Sequence, residues 1–146
     1  MRLLTTAVLV LIATTACGTG AAGGAARACT AMGSPSGIAI EVDPALVPKV
    51  DRGAFDVCWD GDCRSYPIDF NEMPDTSADV PELPAREVEV TVRINDHAGA
   101  EVLERTLAVT PVPTYPNGRD CGADGNKVLL LVDANGALRA GVPRAA

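Results

Sequence analysis

The sequence predicts an all-β domain, folded as a two-sheet antiparallel β-sandwich of about seven strands. Apolar and polar residues alternate in several short runs, as strands with one buried face require. Turn-forming dipeptides, among 14 glycines and 11 prolines, separate these runs. No run has a convincing helical period, so the sheets must supply the core.

The first predicted strand covers residues 38–42. Ile38, Ile40 and Val42 alternate there with less apolar residues, and Pro44 follows. This period of two predicts a strand with one buried face.

Residues 58–63 read CWDGDC and predict the turn of a β-hairpin. Asp60-Gly61 favours a two-residue type I′ turn, which places Cys58 opposite Cys63 and Phe55 opposite Tyr66. Directly opposed residues lie within the Cα distance that a disulfide accepts. We therefore predict a Cys58–Cys63 disulfide on the outer surface, with the aromatic residues facing inward.

Two further strands are predicted on either side of a turn at residues 95–99. Residues 88–94 alternate without a break, and three apolar residues of the 100–109 run share a face. Arg105 interrupts that second face, which predicts a β-bulge or an edge position there. The apolar residues are Val88, Val90, Val92 and Ile94 in the first strand, and Leu103, Leu107 and Val109 in the second.

A last hairpin is predicted near the C-terminus. Residues 128–132 are apolar on both faces, which indicates a central strand, and Asn135-Gly136 then turns the chain into residues 137–142. The strands have immunoglobulin-like proportions, but the tight turn at residues 60–61 keeps its two strands in one sheet, so the strand order stays open.

Two long segments, residues 71–85 and 112–126, have no strand pattern. Long loops on a rigid sandwich are sometimes binding surfaces, but a plain connection is the favoured interpretation for both.

Residues 1–16 read MRLLTTAVLVLIATTA and predict a secretory signal peptide. Arg2 precedes an apolar run, and small residues follow that run. The run is shorter than the roughly 20 apolar residues that a membrane-spanning helix needs.

Thr14-Thr15-Ala16-Cys17 follows as a relaxed lipobox, in which Thr14 stands where leucine is usual. This pattern resembles the bacterial lipoprotein family. The resemblance implies that Cys17 is lipidated and anchors the chain to the extracytoplasmic face of the cell membrane; ordinary secretion is the alternative. Residues 17–28 would be the lipidated cysteine and a flexible Gly/Ala tether, and residues 29–146 the β-sandwich domain.

Four cysteines remain once Cys17 is set aside, and an even number in an exported domain predicts disulfides. With Cys58 and Cys63 paired across the hairpin, Cys29 pairs with Cys121 by elimination. A zinc site is disfavoured because paired C-x-x-C spacing is missing, and the same lack disfavours redox catalysis. No metal or cofactor is predicted.

The sequence shows no catalytic constellation, so we expect that the protein is not an enzyme. The one histidine, His97, falls in a predicted turn, without a nucleophile motif to serve. The acidic residues near turns, at positions 60, 62, 120 and 124, are better explained as turn formers than as calcium ligands.

A net charge of −7 without a basic cluster argues against a nucleic-acid partner. The leading hypothesis is a membrane-tethered extracytoplasmic module that binds a protein or an envelope component without catalysis. The alternative is a secreted protease inhibitor, in which Cys121 braces the 112–126 loop.

Overall fold

The computed structural model of the protein describes residues 29–71 and 73–143. The predicted signal peptide (1–16), Cys17 and the tether (17–28) lie outside the described residues. Within the described ranges the chain forms nine strands and two short 3₁₀ helices, Val47–Lys49 and Arg119–Cys121. These ranges contain no helix that is long and apolar enough to span a bilayer. The strands are β1 (Gly37–Val42), β2 (Arg52–Trp59), β3 (Asp62–Asp69), β4 (Asp75–Asp79), β5 (Val88–Asn95), β6 (Glu101–Val109), β7 (Val112–Pro113), β8 (Asn126–Val132) and β9 (Leu138–Gly141).

The strands form two sheets, which confirms the predicted all-β sandwich. The four-stranded sheet has the order β3-β2-β5-β6, and every neighbouring pair in it is antiparallel. The five-stranded sheet has β4, β1 and β8 side by side, and the other edge of β8 pairs with β7 and then with β9.

One pairing departs from the predicted antiparallel arrangement, because β1 and β8 run parallel. Parallel neighbours need a long crossover connection. Here the connection includes the whole four-stranded sheet, since β2, β3, β5 and β6 all lie between β1 and β8 in sequence. A local sequence pattern does not reveal such a pairing.

The nine strands exceed the predicted seven because each of the two long segments contains a strand. β4 lies within residues 71–85 and pairs with β1, and β7 lies within 112–126 and pairs with β8. The expectation that these segments contain no strand is therefore wrong for both, and 71–85 also places Val80 and Leu83 in the core. The sequence of β4, DTSAD, is poor in strand-forming residues, so its conformation depends on the hydrogen bonds that β1 offers.

The core lies between the inner faces of the two sheets, and the predicted alternation identifies most of it. Burying these branched apolar side chains, with two phenylalanines, supplies the main driving force for folding. The buried residues are Ile38, Ile40, Val42, Val50, Phe55, Val57, Ile68, Phe70, Val80, Leu83, Val88, Val90, Val92, Ile94, Leu103, Val128, Leu130 and Val132.

The β2–β3 hairpin has the predicted turn and register. Asp60 and Gly61 both have positive φ, +53° and +87°, as a type I′ turn requires. Cys58 therefore faces Cys63, and the two are joined by a disulfide. Phe55 is buried on the opposite face, where its ring stacks on that of Tyr66 at a centroid distance of 5.3 Å.

The β5–β6 and β8–β9 hairpins share another turn, in residues 96–100 (DHAGA) and 133–137 (DANGA). In each, the aspartate carboxylate accepts the backbone N–H groups two and four residues later, at 2.8 to 3.0 Å. The fourth residue, Gly99 or Gly136, has positive φ. The predicted hairpin at Asn135-Gly136 is therefore confirmed, with a three-residue loop that ends on a left-handed glycine.

Arg105 lies on β6, at the edge of the four-stranded sheet, and its side chain is exposed. Of the two explanations predicted for this residue, the edge position is confirmed. The register irregularity lies elsewhere, between Ile94 and Asn95. An edge strand accommodates an arginine on its inward side because the long side chain reaches water past the rim.

Candidate binding cleft

The second disulfide joins Cys29 to Cys121, with the Cα atoms 5.7 Å apart. Both predicted disulfides are thus present. Such bridges persist in oxidising compartments and are rare in the cytosol, so they indicate an extracytoplasmic location.

Residues 29–36, which we call the entry segment, lie along the 112–126 loop and are bonded to it repeatedly. The Ser34 amide donates to Asp124 Oδ2 at 2.8 Å, and Thr114 Oγ1 donates to Ser34 Oγ at 3.1 Å. Asn117 Nδ2 donates to the Met32 carbonyl at 2.9 Å. Together with the Cys29–Cys121 disulfide, these bonds fix the loop as a rigid wall beside the five-stranded sheet.

A cleft of about 480 Å³ opens on the outer face of that sheet, away from the core. This volume lies within the range of about 300–1,000 Å³ that is typical of ligand sites. Its floor is formed by β1 and β8, and β4 forms one side. The other side is formed by the 112–116 part of the loop and by Pro143. The lining residues are Ser34, Ala39, Glu41, Asp75, Thr76, Ser77, Val112, Pro113, Thr114, Tyr115, Pro116, Lys127, Val128, Leu129 and Pro143.

The apolar floor of the cleft follows from the outward positions of β1 and β8. Val128, Leu130 and Val132 of β8 point into the core, so Leu129 points outward by strand alternation, yet only 8% of it is exposed. Ala39 lies opposite Leu129 in the neighbouring strand. The two apolar faces of β8 are therefore explained by the core on one side and the cleft on the other.

Charged residues lie towards the two ends of the cleft. Glu41 of β1 and Asp75 of β4 are direct cross-strand partners and make one end acidic. Lys127 of β8 lies beside Gly37, four positions along β1 from Glu41. At the usual rise per strand residue, the acidic pair and the lysine are about 13 Å apart along the strands.

The residues that were considered and rejected as catalytic or metal-binding candidates lie elsewhere. His97 is exposed in the turn after β5, with Nδ1 3.5 Å from Asp51 Oδ1. Asp60, in the β2–β3 turn, pairs with Arg86 of the segment that precedes β5. Among residues 29–71 and 73–143, no three histidine, cysteine or acidic residues are grouped so that they could hold a metal ion.

The outer face of the four-stranded sheet carries a row of polar residues. Hydrogen bonds from the Ser65 hydroxyl and then the Arg93 guanidinium lower the pKa of Asp56, against the opposing effect of its partial burial. Arg93 also reaches Glu104 at 3.9 Å. These contacts pair charges between neighbouring strands and stabilise the sheet.

Comparison of the chain with protein-family models, with curated proteins and with solved structures gives no match. The geometry of the cleft is therefore the main indication of function. The lining of this cleft comes from segments far apart in the chain, so no local sequence pattern predicts the site. The one local signal was the apolar outer face of residues 128–132.

Proposed function

We propose that the protein is a lipoprotein, tethered through Cys17 to the extracytoplasmic face of the cell membrane, whose β-sandwich domain binds a protein or envelope component without catalysing a reaction. The observation that carries this proposal is the cleft on the outer face of the five-stranded sheet, because it is a concave site with an apolar floor and a few polar groups.

The two disulfides support an exported domain, and the relaxed lipobox at residues 14–17 supports an anchor. Cys17 precedes Cys29 by 12 positions, and a fully extended chain of that length spans at most about 43 Å. An anchor at Cys17 would therefore keep the domain close to the bilayer. Two or three acyl chains give stable attachment, which a single chain does not.

The chemistry of the cleft favours binding over catalysis. Its hydroxyl groups, from Ser34, Ser77 and Thr114 among others, have no histidine to activate them, because His97 is the only histidine of the chain and does not line the cleft. Glu41 and Asp75 lie at one end and Lys127 at the other, an arrangement suited to opposite charges on one ligand.

Replacing Cys17 tests the anchor. We expect wild-type protein in the membrane fraction, with an intact mass that includes acyl chains, and Cys17→Ser in the soluble fraction without them. Thr14→Leu, which introduces the usual leucine of the lipobox, serves as the control and should stay in the membrane. A wild-type protein without acyl mass would contradict the anchor.

Photocrosslinking on intact cells tests the cleft. A photoreactive residue at Ser77, on the β4 side of the cleft, should capture a partner, whereas one at Glu89, on the other sheet, should not. Ala39→Trp fills the floor beside Ser77 and should abolish the capture. A capture that survives Ala39→Trp, or that Glu89 gives equally well, would contradict a role for the cleft.

The alternative function, a secreted protease inhibitor, receives less support from the shape of the 112–126 loop. The Gly118 amide donates to the Tyr115 carbonyl at 3.0 Å, and a 3₁₀ turn to Cys121 follows. The loop thus folds back on the entry segment, whereas insertion into a protease cleft needs a projecting strand. Assays against a panel of serine proteases would separate the two functions.

A further inference from the structure

We infer that the occupant of the cleft is a short extended peptide of about four residues, with a cationic group at the Glu41 and Asp75 end and a carboxylate at the Lys127 end. This inference rests on the proposed function, because it names the chemical class of ligand for the same cleft.

The separation of the charges sets the length of the ligand. The acidic pair and Lys127 lie about 13 Å apart along the strands, since Glu41 is four positions along β1 from Gly37, the neighbour of Lys127. An extended peptide advances about 3.3–3.6 Å per residue, so four residues span this distance. A ligand with one charge of each sign, separated by that length, would contact both ends at once.

The middle of the cleft suits the interior of such a peptide. Ala39 and Leu129 form an apolar floor, and Pro113 and Tyr115 form an apolar wall that can contact small aliphatic side chains. The Ser77 hydroxyl at one side can donate to a peptide carbonyl and accept from a peptide N–H group, and the Thr114 hydroxyl, which already donates within the wall, can accept from a second N–H group. The open cleft can therefore satisfy the polar backbone of a peptide as well as its side chains.

A peptide explains this lining better than a lipid or a neutral sugar does. An acyl chain offers no group that could interact with the charges of Asp75 and Lys127, and removing those charges from water would be unfavourable. A neutral sugar could hydrogen-bond to the charged ends but would neutralise neither, and Tyr115 is the one aromatic side chain in the lining on which it could stack.

Three synthetic probes test the inference against the exported full-length protein purified from cells. The first is the N-acetylated tetrapeptide Lys-Ala-Leu-Ala with a free C-terminal carboxylate, the second is its C-terminal amide, and the third has norleucine in place of lysine. Calorimetry should give the first the highest affinity, and loss of either charge should weaken binding about three- to fivefold, as for partly exposed ion pairs.

Single substitutions assign each preference to its end of the cleft. Asp75→Asn should remove the preference for lysine over norleucine and keep the preference for the free carboxylate, and Lys127→Gln should do the reverse. Asp79→Asn, on β4 but outside the cleft, and Lys49→Gln are the matched controls and should change neither preference. Equal binding of the three probes, or preferences that survive both cleft substitutions, would overturn the inference.

The two proposals fail in distinguishable ways. If the probes show no charge preference but Ala39→Trp still abolishes the crosslink formed at Ser77 on cells, the inferred peptide ligand is wrong and the cleft remains the binding site. If Ser77 captures nothing and the probes do not bind, both proposals are wrong.

Discussion

Cys29 and Cys121 are joined by a disulfide although 92 positions separate them, whereas the Cys58–Cys63 bridge closes a separation of only five. The long bridge ties the start of the domain to the wall of the cleft, and the short one fixes the register of a hairpin. The two bridges should therefore differ in what they contribute to stability.

Removing the long bridge should cost more than removing the short one. Loop-closure entropy gives about 4.5 kcal/mol for the Cys29–Cys121 bridge and about 2 kcal/mol for the Cys58–Cys63 bridge. Urea unfolding of the paired Cys→Ser variants would measure the difference. If the Cys58/Cys63 variant were the less stable of the two, the short bridge would contribute more to the free energy of unfolding than loop-closure entropy accounts for.

Gly125 should be intolerant of alanine because the entry segment passes directly over it. Its φ is +83°, and a Cβ there would lie 2.1 Å from the Ser34 carbonyl oxygen. Gly122 has the same φ of +83° with nothing within 4 Å of such a Cβ, so Gly122→Ala isolates the backbone cost, about 1–3 kcal/mol. Gly125→Ala should unfold at lower urea than Gly122→Ala and should expose residues 29–36 to proteolysis. Equal losses of stability would show that the entry segment moves aside at little cost.

The hairpin at residues 58–63 could be predicted because all its determinants are local. Asp60 and Gly61 tolerate positive φ, and a two-residue turn leaves one register for Cys58 and Cys63. The alternating run of β5 is equally local, because the alternation of apolar and polar residues is enough to indicate which face of the strand is buried. For such elements, the sequence contains the physical cause of the structure.

β4 and the cleft could not be predicted because their causes are distant in sequence. Asp75–Asp79 becomes a strand only beside β1, and the parallel pairing of β1 with β8 depends on the path of the whole chain between them. The cleft needs β4, β1, β8 and the 112–116 residues in one place. Leu129 illustrates this limit on prediction from sequence. Its apolar side chain indicated a buried position, but the sequence did not show which segments would lie around it.

The segment between β3 and β5 should prove to be part of the core. Leu83 is 2% exposed, and truncation of a buried leucine costs about 2–5 kcal/mol. We expect a loss of that size for Leu83→Ala in chemical denaturation. Met73, in the same segment, is 56% exposed, and Met73→Ala should change stability by less than about 0.5 kcal/mol. Similar effects of both substitutions would mean that the segment does not pack as a core element.

The turn at residues 133–137 should make stability depend on pH in the acid range. Backbone N–H groups of Ala137 and then Asn135 lower the pKa of Asp133 in the folded protein. A carboxyl whose pKa is lower in the folded state contributes stability above its unfolded pKa, about 3.9, and loses that contribution as pH falls through its folded pKa. Asp133→Ala should therefore lower the melting temperature clearly at pH 6, and the difference from wild type should shrink below about pH 4.

Two matched variants separate the hydrogen bonds of this turn from its charge. Asp133→Asn keeps an acceptor oxygen but cannot ionise, so it should be intermediate in stability, with a smaller acid dependence than wild type. Asp79→Ala removes an exposed aspartate from β4 and corrects for the change in net charge. If the difference between wild type and Asp133→Ala were the same at pH 6 and pH 3, the ionised carboxylate would not be what holds the turn. The neutral acid would then suffice, and the shared DxxGA pattern would reflect turn geometry without an electrostatic contribution.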